Sequence, residues 1–302
     1  MKDVYTLSDL QDWSNVISLR TYPIRLGVVG YPVAHSLSPQ LQNAALRKRN
    51  VYLQYARFEI APAELAAALE RMPALGFVGV NLTIPHKVAA MSMVDEIDEN
   101  AKRVGAINTI HFTGGKLRGF NTDGLGFSQA IQHHFRRPLS EFRTLLLGAG
   151  GAARAIGHQC VAEGASHLSI WNRRRETAME LCETIGGADG KTIVEVVEPN
   201  RESLGAAAAQ AELIINATPV GLRSNDAPLL CREALHEAHC VYDTIYRPRR
   251  TQFLMEAEAA GAKYANGLSM LLYQGAQAFT VWFGRPAPVQ VMRTALRRAA
   301  LR

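Results

Sequence analysis

From about Leu26 onward the chain alternates short apolar runs with longer stretches of helical period. LGVVG (26–30) reads as a buried strand, followed by a helix that Ser38 can cap and Pro39 can open. YLQYARFEI (52–60) alternates polar and apolar side chains as a strand does, and PAELAAALERM (62–72) has the period of a helix with acids in its early turns. FVGVNLT (77–83) predicts another strand, after which Pro85 turns the chain into a helix over HKVAAMSMV (86–94). AINTIHF (106–112) and KLRGF (116–120) predict neighbouring strands joined through Gly114-Gly115. Strands alternating with helices imply a mainly parallel sheet with both faces covered.

A second series begins near Thr122. A helix over 124–135 leads to the strand RTLLLG (143–148), then a helix (151–163), the strand HLSIWN (167–172), a helix (174–185) and the strand KTIVEVV (191–197). ELIIN (212–216) and CVYDT (240–244) are further strands, with a helix around 251–260. This is the βαβαβ rhythm of a doubly wound nucleotide-binding domain. The Ala run 206–209 reads as a helix face, and the tail from Gly267 as two helices, the second opened by Pro286 and Pro288.

A chain of 302 residues exceeds the usual size of one core, which predicts two domains. The formal charge of +6 suits anionic ligands and equally a nucleic acid. The basic residues are scattered, however, with their densest clusters at Arg173-Arg174-Arg175 and at Arg247, Arg249 and Arg250. No helix-turn-helix, zinc-finger or RNA-binding pattern accompanies them, so no nucleic-acid partner is expected. Cys160, Cys182, Cys231 and Cys240 form no CxxC and no ligand spacing with histidine. They are expected to be reduced and mostly buried, in a cytoplasmic protein without a metal. The first residues carry acids where a signal peptide has its apolar run, and no uncharged apolar stretch could span a bilayer.

Chemistry enters at residues 148–153, Gly148-Ala149-Gly150-Gly151-Ala152-Ala153, between a predicted strand and a predicted helix. In that context the glycines let the backbone turn sharply and approach a pyrophosphate, and the helix N-terminus supplies unpaired N–H donors. An NAD enzyme usually has an acid about 20 residues further on to accept from the ribose 2′-hydroxyl. Here the second strand ends in Asn172-Arg173-Arg174-Arg175, with no acid before Glu176. Guanidinium forks match a 2′-phosphate, which favours NADP over a solvated helix start.

Four polar clusters close the apolar strands of the first half: His35–Pro39, Asn81–Lys87, Gly105–Thr109 and Asn121–Gly124. Polar groups beyond the carboxyl ends of strands line the crevice in which α/β proteins bind ligands. Each cluster has a plainer reading as well: helix caps for Ser36, Ser38 and 121–123, a solvated lysine for Lys87.

These clusters, in this order, resemble the shikimate dehydrogenase family. The shared motifs are Gly30-Tyr31-Pro32 through His35-Ser36-Leu37-Ser38-Pro39, Asn81-Leu82-Thr83-Ile84-Pro85-His86-Lys87, Ala106-Ile107-Asn108-Thr109 and Asn121-Thr122-Asp123-Gly124. Gly148 to Arg154, Asn216-Ala217-Thr218-Pro219-Val220-Gly221 and Gly267 to Gln274 continue the series. The resemblance spans about residues 26–300 and leaves the first two dozen without a role.

The resemblance implies a Rossmann-type doubly wound NADP-binding domain (123–266) enclosed by an α/β substrate domain with a mainly parallel sheet (1–122 and 267–302). It implies reversible reduction of 3-dehydroshikimate to shikimate with NADPH, on the chorismate route to aromatic amino acids, by a cytoplasmic monomer or homodimer. Lys87 and Asp123 are implied as the catalytic pair. Ser36 and Ser38, with Tyr246, are implied as ligands of the substrate carboxylate. Thr83, Asn108, Asp123 and Gln274 are implied for the ring hydroxyls and carbonyl, and Thr218 and Gly267 for the cofactor beside the glycine loop and 172–174. Two departures stand out: His86 replaces the family's usual aromatic, and Arg174 and Thr177 stand where NADP enzymes often have Thr and Arg. The alternatives are a quinate/shikimate dehydrogenase using NAD and a ligand-sensing homologue without catalysis.

Overall fold

The computed structural model describes residues 2–18, 21–186, 191–223 and 225–301. The chain divides into two compact units, Met1–Thr122 with Leu272–Arg302, and Asp123–Leu271. Among the described residues no helix is long and apolar enough to cross a membrane.

The first unit contains β1 (Val4–Tyr5), β2 (Ile24–Gly30), β3 (Gln54–Glu59), β4 (Gly79–Leu82), β5 (Glu96–Ile97), β6 (Thr109–Thr113) and β7 (Lys116–Phe120). They form one sheet in the order β1-β3-β2-β4-β6-β7-β5. β1, β3, β2 and β4 run parallel, β6 is antiparallel to both its neighbours, and β5 is parallel to β7. The sheet is thus mainly parallel, and the antiparallel pair is the predicted hairpin at Gly114-Gly115. One face buries Tyr5, Trp13, Phe58 and Phe77, whose rings contact one another. From the C-terminal tail, Trp282 donates its indole N–H to the Ile110 carbonyl, 3.0 Å away.

The helix expected over 86–94 is shorter. It is α-helical only over His86–Ala89, then a 3-10 turn over Ala90–Ser92. The Ser92 hydroxyl bonds the Ala89 carbonyl (3.2 Å), a local competitor for helical pairing, and Asp95 N–H is already paired with Leu117 of β7.

The second unit contains β8 (Arg143–Leu147), β9 (His167–Trp171), β10 (Ile193–Val197), β11 (Leu213–Asn216), β12 (Cys240–Asp243) and β13 (Lys263–Asn266). All are parallel, in the order β10-β9-β8-β11-β12-β13. Strand order reverses between β8 and β11, so the loops leaving those two strands flank the switch point where such sheets bind ligands. Cys160 and Cys240 are buried, and burial pushes the Cys160 thiol up to about 12. Cys231 is exposed and Cys182 half-buried, so the expectation of mostly buried cysteines fits only two of the four.

Candidate functional site

In the first unit, the loops after β2 and β4 are stitched side by side. Tyr31 N–H donates to the Ile84 carbonyl at 3.0 Å and Thr83 N–H to the Val29 carbonyl at 2.9 Å. Both loops contain a cis X-Pro bond, Tyr31-Pro32 and Ile84-Pro85. Ser36 and Ser38 are buried, with their hydroxyls 3.2 Å apart. Ser38 does not cap its helix. It is the first residue of Ser38–Lys48, and the Ser36 hydroxyl accepts its N–H at 3.3 Å. The Ser36 carbonyl is held by Arg57 Nε at 2.8 Å, from β3.

Asn108 is the hub of a buried amide–hydroxyl network. Its Oδ1 accepts the Thr122 N–H (2.8 Å) and the Thr109 hydroxyl (3.0 Å). Its Nδ2 reaches Thr122 Oγ1 (2.9 Å) and Gln274 Oε1 (3.4 Å). Asn81 extends the network. Its Nδ2 donates to Thr109 Oγ1 (3.0 Å), while its Oδ1 accepts the Tyr55 hydroxyl (2.8 Å). Gln42, from the same helix as Ser38, donates to the Gly275 carbonyl (2.8 Å) next to Gln274. Tyr55, Arg57 and Gln42 escaped the sequence reading. Gln42 alone left a signal, four residues from Ser38 and therefore on its helix face.

Lys87 and Thr83 are half-buried at the carboxyl end of β4. The Lys87 backbone is fixed by the Ile107 N–H, which donates to its carbonyl at 2.8 Å. His86 is buried, with Nε2 bonded to the Ile60 carbonyl at 2.9 Å, and burial holds its pKa below the usual imidazole range. A neutral imidazole with a carbonyl partner therefore fills the place where an aromatic ring was expected from the resemblance.

Asp123 and Tyr246 lie in the second unit. Asp123 is buried and opens the helix Asp123–Phe135; Tyr246 is half-buried in the loop after β12.

The glycine loop connects β8 to the helix Gly151–Ala162, which Gly150 N-caps. Gly148 has φ +115°, and a Cβ there would come within 3.0 Å of the Ala217 carbonyl and 3.1 Å of the Thr218 methyl. Only glycine meets both conditions, and the loop after β11 packs directly upon it. At Gly267, after β13, a Cβ would sit 1.9 Å from the Thr244 carbonyl oxygen, so backbone occupies the space.

Beyond β9, Arg175 is paired with Glu198 at 2.7 Å, and Asn172 Nδ2 donates to the Arg174 carbonyl at 2.9 Å. Arg173 and Arg174 are exposed, and among the described residues neither guanidinium has a carboxylate partner. A cradle of N–H groups at a twelve-residue helix, a glycine against which nothing larger fits, and two uncompensated guanidinium groups fit a phosphorylated dinucleotide.

Residues 28–110 match the model of the shikimate dehydrogenase substrate binding domain, and 267–297 that of the shikimate 5′-dehydrogenase C-terminal domain. The chain is 43% identical to a shikimate dehydrogenase (NADP(+)) of Symbiobacterium thermophilum over 272 residues, 89% of this chain and 92% of that protein. It is 41% identical to the protein of that name in Methanopyrus kandleri, over 90% of this chain and 94% of the relative. The crystal structure of shikimate 5-dehydrogenase from Thermus thermophilus in complex with NADP(H) and shikimate superposes with a TM-score of 0.81 at 38% identity, covering 91% of this chain and 99% of that one.

Proposed function

Because the chain belongs to the shikimate dehydrogenase family, we propose that it catalyses the NADPH-dependent, reversible reduction of 3-dehydroshikimate to shikimate. The extent of the relationship carries this reading, since 43% identity runs through 89% of the chain and so spans both units. The setting is the cytoplasm and the route to aromatic amino acids, as a monomer or homodimer.

Bound NADPH would supply the hydride. The chain's own residues would do the rest. Ser36 and Ser38, their hydroxyls 3.2 Å apart, would take the substrate carboxylate together with Tyr246. Thr83, Asn108 and Gln274 would read the ring hydroxyls. The Asn108 amide is already held by Thr122 and Thr109, so it would meet the substrate preoriented, with little rotamer freedom to lose. Lys87 would donate a proton from Nζ to the carbonyl oxygen as negative charge develops there, with Asp123 as its counter-charge and as a second ligand of the ring. In the second unit, Gly148 to Ala152, Asn172, Thr218 and Gly267 would hold the dinucleotide, and Arg173 and Arg174 its 2′-phosphate.

Initial rates with shikimate and quinate, each with NADP+ and NAD+, test the reading. Shikimate with NADP+ should give the highest kcat/KM. No oxidation of shikimate with either cofactor would refute it.

A further inference from the structure

The reaction as proposed leaves a buried carboxyl group of the nucleotide unit unused. Asp243, the last residue of β12, is fully buried. Its Oδ1 accepts the Ile245 N–H (2.9 Å) and the Asn216 side-chain amide (3.1 Å), and its Oδ2 accepts the Thr251 hydroxyl (2.6 Å). A solvent-inaccessible carboxylate with three donors and, among the described residues, no cation beside it is costly, and burial pushes its pKa up to about 6 despite those donors. Such a group needs a reason to be there.

Asn216, its partner, ends the adjacent strand β11. Because the acceptor-only carboxylate faces it, Asn216 must turn its NH2 toward Asp243, and the same nitrogen also reaches the Val220 carbonyl at 3.0 Å. That leaves Asn216 Oδ1 pointing at Thr218, where it accepts both the backbone N–H (3.0 Å) and the hydroxyl (2.7 Å). The Thr218 hydroxyl, its proton thus committed, accepts the Val220 N–H at 3.1 Å. The methyl of the same Thr218 lies against Gly148, the first glycine of the phosphate loop.

We infer that Asp243 is a positioning residue of the dinucleotide site: through the Asn216 amide it fixes the rotamer of Thr218 and holds the loop 216–221 against the glycine turn. Asp243 touches no ligand in this arrangement. With the Val220 carbonyl and the Thr218 N–H, it holds the Asn216 amide with its oxygen toward Thr218, and so steadies the surface the loop presents beside Gly148. The inference rests on the functional reading above, because it takes the glycine loop as the cofactor site.

The test is NADP+ affinity, by titration calorimetry, in Asp243→Asn, Thr218→Val and the double variant, with kcat at saturating cofactor alongside. An asparagine at 243 can present its own NH2 to Asn216, so one of the contacts that hold the amide in place is replaced by a clash of donors. Asp243→Asn should weaken NADP+ by about tenfold and change kcat at saturation far less, since removal of one hydrogen bond lies in that range. With Val at position 218 the effect of Asp243→Asn should shrink to a small part of its size, because the hydroxyl is gone and only the Thr218 N–H still links Asn216 to that residue. Normal NADP+ affinity in Asp243→Asn would overturn the inference, as would an equal loss whether Thr or Val stands at 218. If Asp243→Asn does not fold, Thr251→Val removes a donor to the same carboxylate and Thr251→Ser restores it. A several-fold loss with Val and recovery with Ser is then expected, and unchanged affinity in both would overturn the inference. Failure of the functional reading would look different, because the wild-type chain would then bind no dinucleotide at all.

Discussion

Replacing Arg173 and Arg174 together by alanine isolates the 2′-phosphate contribution, because the fold does not lean on either side chain. Both are exposed, and neither is paired with a described carboxylate, so their removal should leave thermal stability within about 0.5 kcal/mol of wild type. A hydrogen bond to a charged group is worth about 1.5–3 kcal/mol. Removing one such bond therefore weakens NADP+ roughly tenfold to a hundredfold, at about 1.4 kcal/mol per factor of ten, and removing two weakens it further. NAD+ lacks the phosphate and should bind the variant as it binds wild type. Arg175 is an internal control. It is next in sequence but engaged by Glu198 at 2.7 Å, so Arg175→Ala should alter NADP+ affinity little. The assay is the dissociation constant of NADP+ and NAD+ by calorimetry for wild type, the Arg173/Arg174 double variant and Arg175→Ala, at fixed ionic strength because exposed charges are screened. Equal weakening of both dinucleotides in the Arg173/Arg174 variant, or a larger effect from Arg175, would refute the reasoning.

Two further outcomes are expected. Lys87→Ala should lower kcat by about 10²–10⁴-fold with a much smaller change in shikimate affinity, and Asp123→Asn should lower both; in the double variant the losses should fall short of additive, and a near-normal kcat in Lys87→Ala would remove the proton-donor role. For Asp243, the folded pKa of about 6 lies above the ordinary 3.8, so the folded state holds the proton more tightly and stability is lost as pH rises between those values. The shift corresponds to about 3 kcal/mol at 1.36 kcal/mol per unit, so denaturant titrations should show wild type losing up to that much relative to Asp243→Asn between about pH 4 and pH 7, and a pH-independent difference would contradict it.

Most strands were legible because burial on both faces writes a continuous apolar run, as in Leu145-Leu146-Leu147 or Leu213-Ile214-Ile215. The strands that escaped were those with no run to show. β1 and β5 have two residues each, and β13 reads Lys-Tyr-Ala-Asn, held by its neighbour β12 and not by its own pattern. The helix Glu99–Val104 was missed although its punctuation is present. Asp98 caps it, accepting from Asn100 and Ala101, and Gly105 ends it at φ +66°, but six residues are too few for an apolar stripe to declare itself. At the candidate site, residues within one motif could be read together. Their supports could not, since Tyr55 meets Asn81 across 26 positions and Gln42 meets Gly275 across 233. Asp243 was hidden for another reason, because a lone acid at the end of a predicted strand looks like any solvated strand terminus until the sheet closes over it.

The two residues of β1 have a consequence out of proportion to their length. Val4 and Tyr5 pair with Arg57 and Phe58, occupying part of the outer rim of β3 that would otherwise offer unpaired backbone groups to another chain. Tyr5 and Trp13 also bring their rings onto Phe58, so the segment covers apolar surface as well as backbone. The opening residues thus cover both the backbone and the apolar face of β3 along that stretch. Shortening the chain there would uncover Phe58 and an edge of β3 together, and would be felt first as lost stability of the first unit.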